Sequence, residues 1–173
     1  MCNSQPWNIY VASGNTMEEI RKEWISKGKE KVKGYADLKP GHRTDFSERS
    51  QKTMGVFFKS WENLPNKNEA EESNSFIFNA PTMVYLTLPK GHIPYSILDL
   101  GGLEMSIMLA AKDHGVDSIP AYSTIMYPDV LRKILKISEK EDIVIGLGYE
   151  EKCLLNDNRS VKLTLDEACH FYN

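Results

Sequence analysis

Residue types that can carry chemistry are present in this 173-residue chain, but they form no recognisable catalytic motif. The four histidines are isolated and give neither a His-Glu-x-x-His nor a His-x-His arrangement. Neither a Gly-x-Ser-x-Gly segment nor a Gly-rich phosphate loop of the GxGxxG or GxxxxGK type occurs. Glu71 and Glu72 are adjacent carboxylates, but they lie in a charge run that is typical of a solvated surface. Spacing alone therefore predicts no catalytic side chain.

Cysteine usage and charge exclude several classes of protein. Cys2, Cys153 and Cys169 are too widely spaced for a zinc pattern or an evident disulfide framework, so we interpret them as reduced thiols in the cytoplasm and predict no metal site. The net charge of −3 gives no electrostatic footprint for nucleic acid. No apolar run reaches the ~18 residues that a membrane span needs, and the N-terminal residues show no secretory signal.

The elements that must position any site follow from hydrophobic periodicity and turn signals. Strands or extended segments are predicted over residues 7–12, 82–88, 116–122 and 142–149. Helices are predicted over residues 16–31, 45–62, 95–114, 128–136 and 163–172. Thr16 is expected to cap the first helix, and Thr164 with Glu167 to form a capping box at the last. The polar stretch 63–75 is expected to be a mobile surface connection, and the whole pattern predicts a soluble α+β domain.

The predicted helix 95–114 is apolar nearly all round, with only Asp99 and Glu104 charged before Lys112. Such a helix is buried, either in a core or in a subunit interface, which favours an oligomer. Gly101 and Gly102 in its middle each cost about 1 kcal/mol of helix stability. The usual compensation is the close approach of another backbone.

Short segments along the whole chain resemble one family. Residues 3–7, Asn-Ser-Gln-Pro-Trp, resemble the NSQPW segment of the nitroreductase family of FMN-dependent oxidoreductases, and Cys2 fits one subgroup. Further segments resemble other family motifs in family order and at similar spacing: 78–81, 98–101, 107–111, 115–120, 146–149 and 156–162. Taken alone, the Gly-Leu-Gly of 146–148 is more often a close-packing feature than a phosphate cradle. The resemblance spans residues 2–172.

The resemblance implies an α+β fold with a central, mostly antiparallel sheet flanked by helices, in an intertwined homodimer that binds FMN at its interface. NAD(P)H would deliver electrons to the flavin, and a nitroaromatic or quinone-like acceptor would then take the same place in a ping-pong mechanism. Because the flavin carries the chemistry, no catalytic side chain is required. The prediction is therefore an FMN-dependent oxidoreductase.

Eight residues are implied to bind the cofactor: Asn3, Ser4, Gln5, Pro120, Ala121, Tyr122, Arg159 and Lys162. Asn3 and Gln5 would serve the polar pyrimidine edge of the flavin, since an amide both donates and accepts hydrogen bonds. The 120–122 segment would pass backbone across the flavin, with an N–H able to reach N5, although the chain reads Pro-Ala-Tyr-Ser where the family often has Pro-Gln-Ala-Ser. The two basic residues match a pair near the FMN phosphate.

Family members carry a further helical segment before NSQPW, with an Arg-x-Ser-x-Arg type of motif that holds the FMN phosphate and ribityl chain. We therefore expect residues 1–173 to be a single nitroreductase-like domain that lacks this segment and binds FMN more weakly. Two alternatives stay open. The chain could be a non-catalytic protein of the same fold that acts as a structural or partner subunit, or a small-molecule binding module without redox chemistry.

Overall fold

The computed structural model of the chain describes residues 3–65, 67–149, 160, 162–170 and 172. They fall into two compact units, the first from Met1–Lys39 with Glu71–Glu151 and the second from Pro40–Ala70 with Lys152–Asn173. The first unit holds a four-stranded antiparallel sheet in the order β1-β2-β4-β3. Its strands are β1 (Asn8–Ser13), β2 (Thr82–Pro89), β3 (Ser118–Pro120) and β4 (Glu141–Tyr149). The predicted α+β class and antiparallel sheet are confirmed.

The described helices are α1 (Gly14–Lys29), α2 (Glu48–Glu62), α3 (Lys67–Asn74), α4 (Pro94–Asp113), α5 (Pro128–Leu135) and α6 (Leu165–Ala168). Short 3-10 turns cover Arg43–Asp45, Ile77–Asn79 and Tyr122–Ile125. None of the helices in the described part of the chain is both long and apolar enough to cross a membrane.

The two faces of the sheet bury different sets of side chains, because successive residues of a strand point to opposite sides. Met83 and Tyr85 of β2 pack in one cluster with Ile20 and Trp24 of α1 and Leu131 of α5. On the other face, a smaller buried cluster consists of Leu86, Leu88 and Leu100. Leu100 belongs to α4, so the sheet lies between α1 and α5 on one side and α4 on the other.

The segment that follows α1 is tied to the first of these faces by a buried ion pair. The Arg132 guanidinium donates to both carboxylate oxygens of Asp37, at 3.3 and 2.7 Å, and to the Glu141 carbonyl at 2.6 Å. Asp37 also accepts the Ile143 N–H at 2.9 Å. The hydrogen bonds of Asp37 to Ile143 and to Arg132 thus fix the loop against β4 and α5.

Three local predictions are wrong. Thr16 does not cap α1, because the chain turns directly from β1 through Gly14 (φ +52°) and the helix begins two residues earlier. Residues 63–75 are not simply a connection, since α3 forms there with Glu69 in its first turn, where a negative charge suits the helix dipole. The Thr164–Glu167 capping box is present, but α6 ends at Ala168 because Cys169 is extended (φ −116°, ψ 136°).

Candidate functional site

A cleft of about 460 Å³ lies between the N-terminal segment and one face of α4. Four of its lining residues follow the i, i+3, i+4, i+7 spacing that places side chains on one helix face: Asp99, Gly102, Leu103 and Ser106. The opposing wall comes from the N-terminal segment: Asn3, Ser4, Gln5 and Trp7. The cleft thus brings together the first three predicted cofactor-binding residues, with the indole of Trp7 and the Leu103 side chain as its apolar parts.

The N-terminal wall is held by hydrogen bonds among its own residues and to α4. The Gln5 side-chain amide donates to the Asn3 side-chain oxygen at 2.5 Å, and the Ser4 hydroxyl donates to the Asp99 carboxylate at 3.4 Å. Asn3 (φ 57°) and Gln5 (φ 40°) both adopt the left-handed backbone region. That conformation is costly for a residue other than glycine, and such strain clusters at functional sites.

The second predicted segment continues from β3, and hydrogen bonds fix its backbone. The Ala121 N–H donates to the Gly146 carbonyl at 2.8 Å, and the Thr124 hydroxyl donates to the Ala121 carbonyl at 2.6 Å. The Ala121 N–H is therefore engaged, and Pro120 has none. Among the described residues, the Tyr122 N–H, at the start of a 3-10 turn, has no acceptor. It is therefore the one group of the three able to serve as the predicted N5 donor.

Gly146 and Gly148 of β4 make this arrangement possible. A Cβ atom at Gly146 would collide with the Thr124 hydroxyl, and one at Gly148 would lie 2.8 Å from the Met83 sulfur. Both distances are too short for a side chain without a shift of the neighbours. The interpretation of this Gly-x-Gly as a close-packing feature is confirmed.

The outer surface of α4 is apolar and exposed. Leu98 is 67 % exposed and Leu109 64 %, whereas Leu100 is 2 % exposed on the sheet side. The sequence predicts that this helix is buried either in a core or in a subunit interface. For the outer surface of α4, burial in the core of the chain is wrong. The close backbone approach expected at Gly101 and Gly102 is not found within the described chain either, because an added Cβ at each meets no atom within 4 Å.

The side chain of Glu104 on α4 is partly buried. This burial raises the pKa of its carboxyl above the ordinary value of 4.5, because it disfavours the charged form.

Among the described predicted residues of the first unit, Pro120, Ala121 and Tyr122 do not line this cleft. Arg159 lies outside the described residues. Lys162 belongs to the second unit, where its ammonium donates to the Ser160 hydroxyl at 2.9 Å. Sequence reasoning missed Asp99, Gly102 and Ser106, although their helical spacing marks a polar and small face on an otherwise apolar helix.

A second cleft, of about 440 Å³, lies on α1. Its described lining comes entirely from that helix and includes Arg21, Lys22 and Lys29. None of the predicted site residues that the structure describes contributes to it. The α4 cleft is the better candidate, because two separate parts of the chain converge there.

Comparison with known proteins decides the family. The model of the nitroreductase family matches residues 1–149, most of the chain. The chain belongs to the nitroreductase family. The 4-nitrobenzoate reductase of Pseudomonas putida is 25 % identical over 98 % of this chain and 78 % of its own length. Nitroreductase NfnB of Mycolicibacterium smegmatis is also 25 % identical, over 98 % of this chain and 76 % of its own length.

Solved structures agree on the fold. The FMN-dependent nitroreductase NfnB from Mycobacterium smegmatis, crystallised in complex with NADPH, superposes with a TM-score of 0.85 at 20 % identity, over 100 % of this chain and 82 % of that one. An FMN- and NADPH-dependent NfnB from a Sphingopyxis strain gives a TM-score of 0.83 at 18 % identity, again over 100 % and 82 %. The predicted family, the nitroreductase fold and the oxidoreductase class are confirmed.

Proposed function

We propose that this chain is an FMN-dependent oxidoreductase that passes electrons from NAD(P)H to nitroaromatic or quinone-like acceptors. The observation that carries the proposal is the α4 cleft, in which the family's NSQPW segment forms one wall. The names of the relatives support it, since they include a 4-nitrobenzoate reductase and an FMN-dependent nitroreductase crystallised with NADPH.

The cleft residues fit a flavin. A flavin needs donors and acceptors along its pyrimidine edge and apolar surface against its ring system. The side-chain amides of Asn3 and Gln5 can each donate and accept hydrogen bonds, and Trp7 and Leu103 provide the apolar surface. When bound, FMN would supply the hydride and electron chemistry itself, so the chain needs only to bind and orient it.

The other predicted cofactor-binding residues are given further roles in this proposal. The Tyr122 N–H would donate to the flavin ring, in the segment that Pro120 and Ala121 fix against β4. Arg159 and Lys162 would hold the phosphate, because a guanidinium grips it bidentately and an ammonium acts as a point charge. We keep the predicted single domain and cytoplasmic location as part of the proposal.

The proposal includes a homodimer that forms through the outer surface of α4. Exposed apolar patches of this kind mark interaction sites in folded proteins. Leu98, Met105 and Leu109 lie on this surface, and each is more than half exposed. A second copy of the chain would cover them. Light scattering coupled to gel filtration tests this, with twice the mass of 19.7 kDa expected.

The decisive experiment is a visible absorption spectrum of the purified protein after incubation with FMN and gel filtration. We expect flavin absorption bands that stay with the protein, and that NADPH or NADH bleaches in the absence of oxygen. Addition of a nitroaromatic or a quinone should then restore the bands. A folded protein that stays colourless would contradict the proposal and favour a non-catalytic member of the family.

A further inference from the structure

The two consecutive glycines of α4 differ in their relation to the cleft. Gly102 shares a face with Asp99, Leu103 and Ser106, and all four line the cleft. Both glycines also border the outer apolar surface, because Gly101 and Gly102 follow Leu98 by three and four residues and precede Met105 by four and three. Of the two, only Gly102 contributes to the cleft wall.

Nothing within the described chain requires glycine at position 102. Its backbone is helical, not left-handed, so its conformation suits any residue. An added Cβ would meet no atom within 4 Å. Alanine is the better helix former and would hold this helix more firmly. The glycine therefore weakens α4 without relieving any contact among the described residues.

The open space beside Gly102 is the cleft itself. Asp99 and Ser106 lie about one helical turn to either side of it, so the glycine leaves a flat stretch of helix between two polar side chains. The Ser106 hydroxyl donates to the Gly102 carbonyl at 2.8 Å, which occupies both groups within the helix. A bound ring can approach the backbone most closely at that stretch.

We propose that Gly102 is the residue that sets the width of this cleft and admits a planar ring system against α4, so that a side chain at this position excludes the flavin. This inference rests on the proposed function. It gives Gly102 a steric role in cofactor selection that the hydrogen-bonding residues of the opposite wall do not provide.

The test compares substitutions that strengthen helices equally but differ in position. Gly102→Ala and Gly102→Leu fill the cleft by increasing amounts. Gly101→Ala changes the neighbouring position of α4, which does not line the cleft, and Gly28→Ala lies on α1, where an added Cβ also meets no atom within 4 Å. The three readouts are the melting temperature without FMN, the Kd for FMN from flavin fluorescence, and the mass by light scattering.

We expect each alanine variant to melt about 2–4 °C higher than the unsubstituted protein, because the helix gains stability. Only the Gly102 variants should bind FMN more weakly, roughly tenfold for alanine and roughly a hundredfold for leucine, as overpacking predicts. The mass should be the same for all of them. A higher melting temperature with weaker FMN binding is a combination that misfolding cannot produce.

Three results would overturn the inference. One is Gly102→Leu binding FMN as tightly as the unsubstituted protein. Another is equal weakening by Gly101→Ala, and the third is a loss of affinity in the Gly102 variants that follows a change in mass, since the glycine would then serve subunit packing. If the unsubstituted protein binds no FMN, the proposed function fails together with this inference.

Discussion

The two faces of the sheet differ in how many side chains they bury within the described chain. Among the described residues, the face toward α1 and α5 buries a cluster of twelve side chains, with Ile20 of α1 and Leu131 of α5 fully enclosed. The face toward α4 buries a cluster of three, and the outer surface of α4 is left apolar and exposed. Within the described chain, the face toward α1 and α5, the closed face, is therefore well covered, whereas the α4 side, the open face, keeps an exposed apolar surface.

This difference explains why the candidate site lies where it does. A cofactor or a second copy of the chain gains most from a surface that still has apolar area to bury. The α4 side offers that area together with the amides of the N-terminal segment, whereas α1 presents a compact core on one side and lysines and an arginine on the other. In the proposed function, the closed face supports the fold and the open face carries the candidate site.

The largest expected effect comes from substituting one residue on each face. Ile20→Ala should lower the free energy of unfolding by about 3–4 kcal/mol at any protein concentration, because it leaves a cavity in the closed core. Leu109→Ala should lower it by an amount that shrinks on dilution, since Leu109 is buried only by the proposed second copy. Urea unfolding at two concentrations a hundredfold apart distinguishes them. A concentration-independent loss for Leu109→Ala would mean that α4 is packed within the single chain.

The buried ion pair on the closed face gives the next largest effect. The side chains of Arg132 and Asp37 are 8 % and 10 % exposed. Asp37→Asn should cost about 3 kcal/mol of unfolding free energy, because it leaves the buried guanidinium with only the exposed Glu139 carboxylate, 3.5 Å away, as a counter-charge. As a control, Asp129→Asn breaks the partly exposed pair with Lys27 and should cost less than about 1 kcal/mol. Equal losses in chemical denaturation would argue against a closed face.

Substitution of Gly146 should have an intermediate effect on stability. This residue contacts Tyr85 of the core and accepts the Ala121 N–H of the predicted 120–122 segment. Gly146→Ala should cost roughly 2 kcal/mol, because its Cβ would collide with the Thr124 hydroxyl. Thr124→Ala in the same chain should recover most of this loss, whereas Thr124→Val, which keeps an atom at that position, should not. Thermal unfolding of the single and double variants measures the recovery. No recovery with alanine would show that a different contact limits this position.

Substitution of Glu104 should have the smallest effect on stability, and the size of this effect depends on pH. Burial raises the pKa of this carboxyl, so its contribution to stability is fully present below its unfolded pKa and is lost as the pH rises through the folded pKa. Glu104→Gln should therefore be more stable than the unsubstituted protein at pH 7, by less than roughly 1 kcal/mol because the group is partly solvated. The difference should disappear below about pH 4. A constant difference across this range in urea unfolding would rule out desolvation of the carboxylate as the cause.

The sequence was sufficient for the features that depend on local chemistry. Pro128 at the first turn of α5, the Thr164–Glu167 capping box and the mostly apolar run of β2 all predict their elements directly. The family resemblance located Asn3 to Gln5, which the structure places in one cleft. The closeness of Thr124 to Gly146 and the pairing of Asp37 with Arg132 could not be predicted, because both join residues far apart in the chain.

One error and one alternative that the sequence left open share a physical origin. The apolar residues of α4 predicted burial in a core or in a subunit interface, and periodicity does not say whether the covering surface belongs to the same chain. The polar composition of 67–74 hid α3, since such a helix has no apolar face to reveal its period. Both helices have a composition that is unusual for a helix packed with one face on a core.

The most direct test of the difference between the two faces is hydrogen–deuterium exchange of the protein with and without FMN. We predict slower exchange of backbone amides in residues 3–7 and 99–106 when FMN is bound, with exchange in α1 unchanged. Slower exchange confined to α1, or FMN binding that leaves residues 99–106 unaffected, would contradict the assignment of the functional site to the open face.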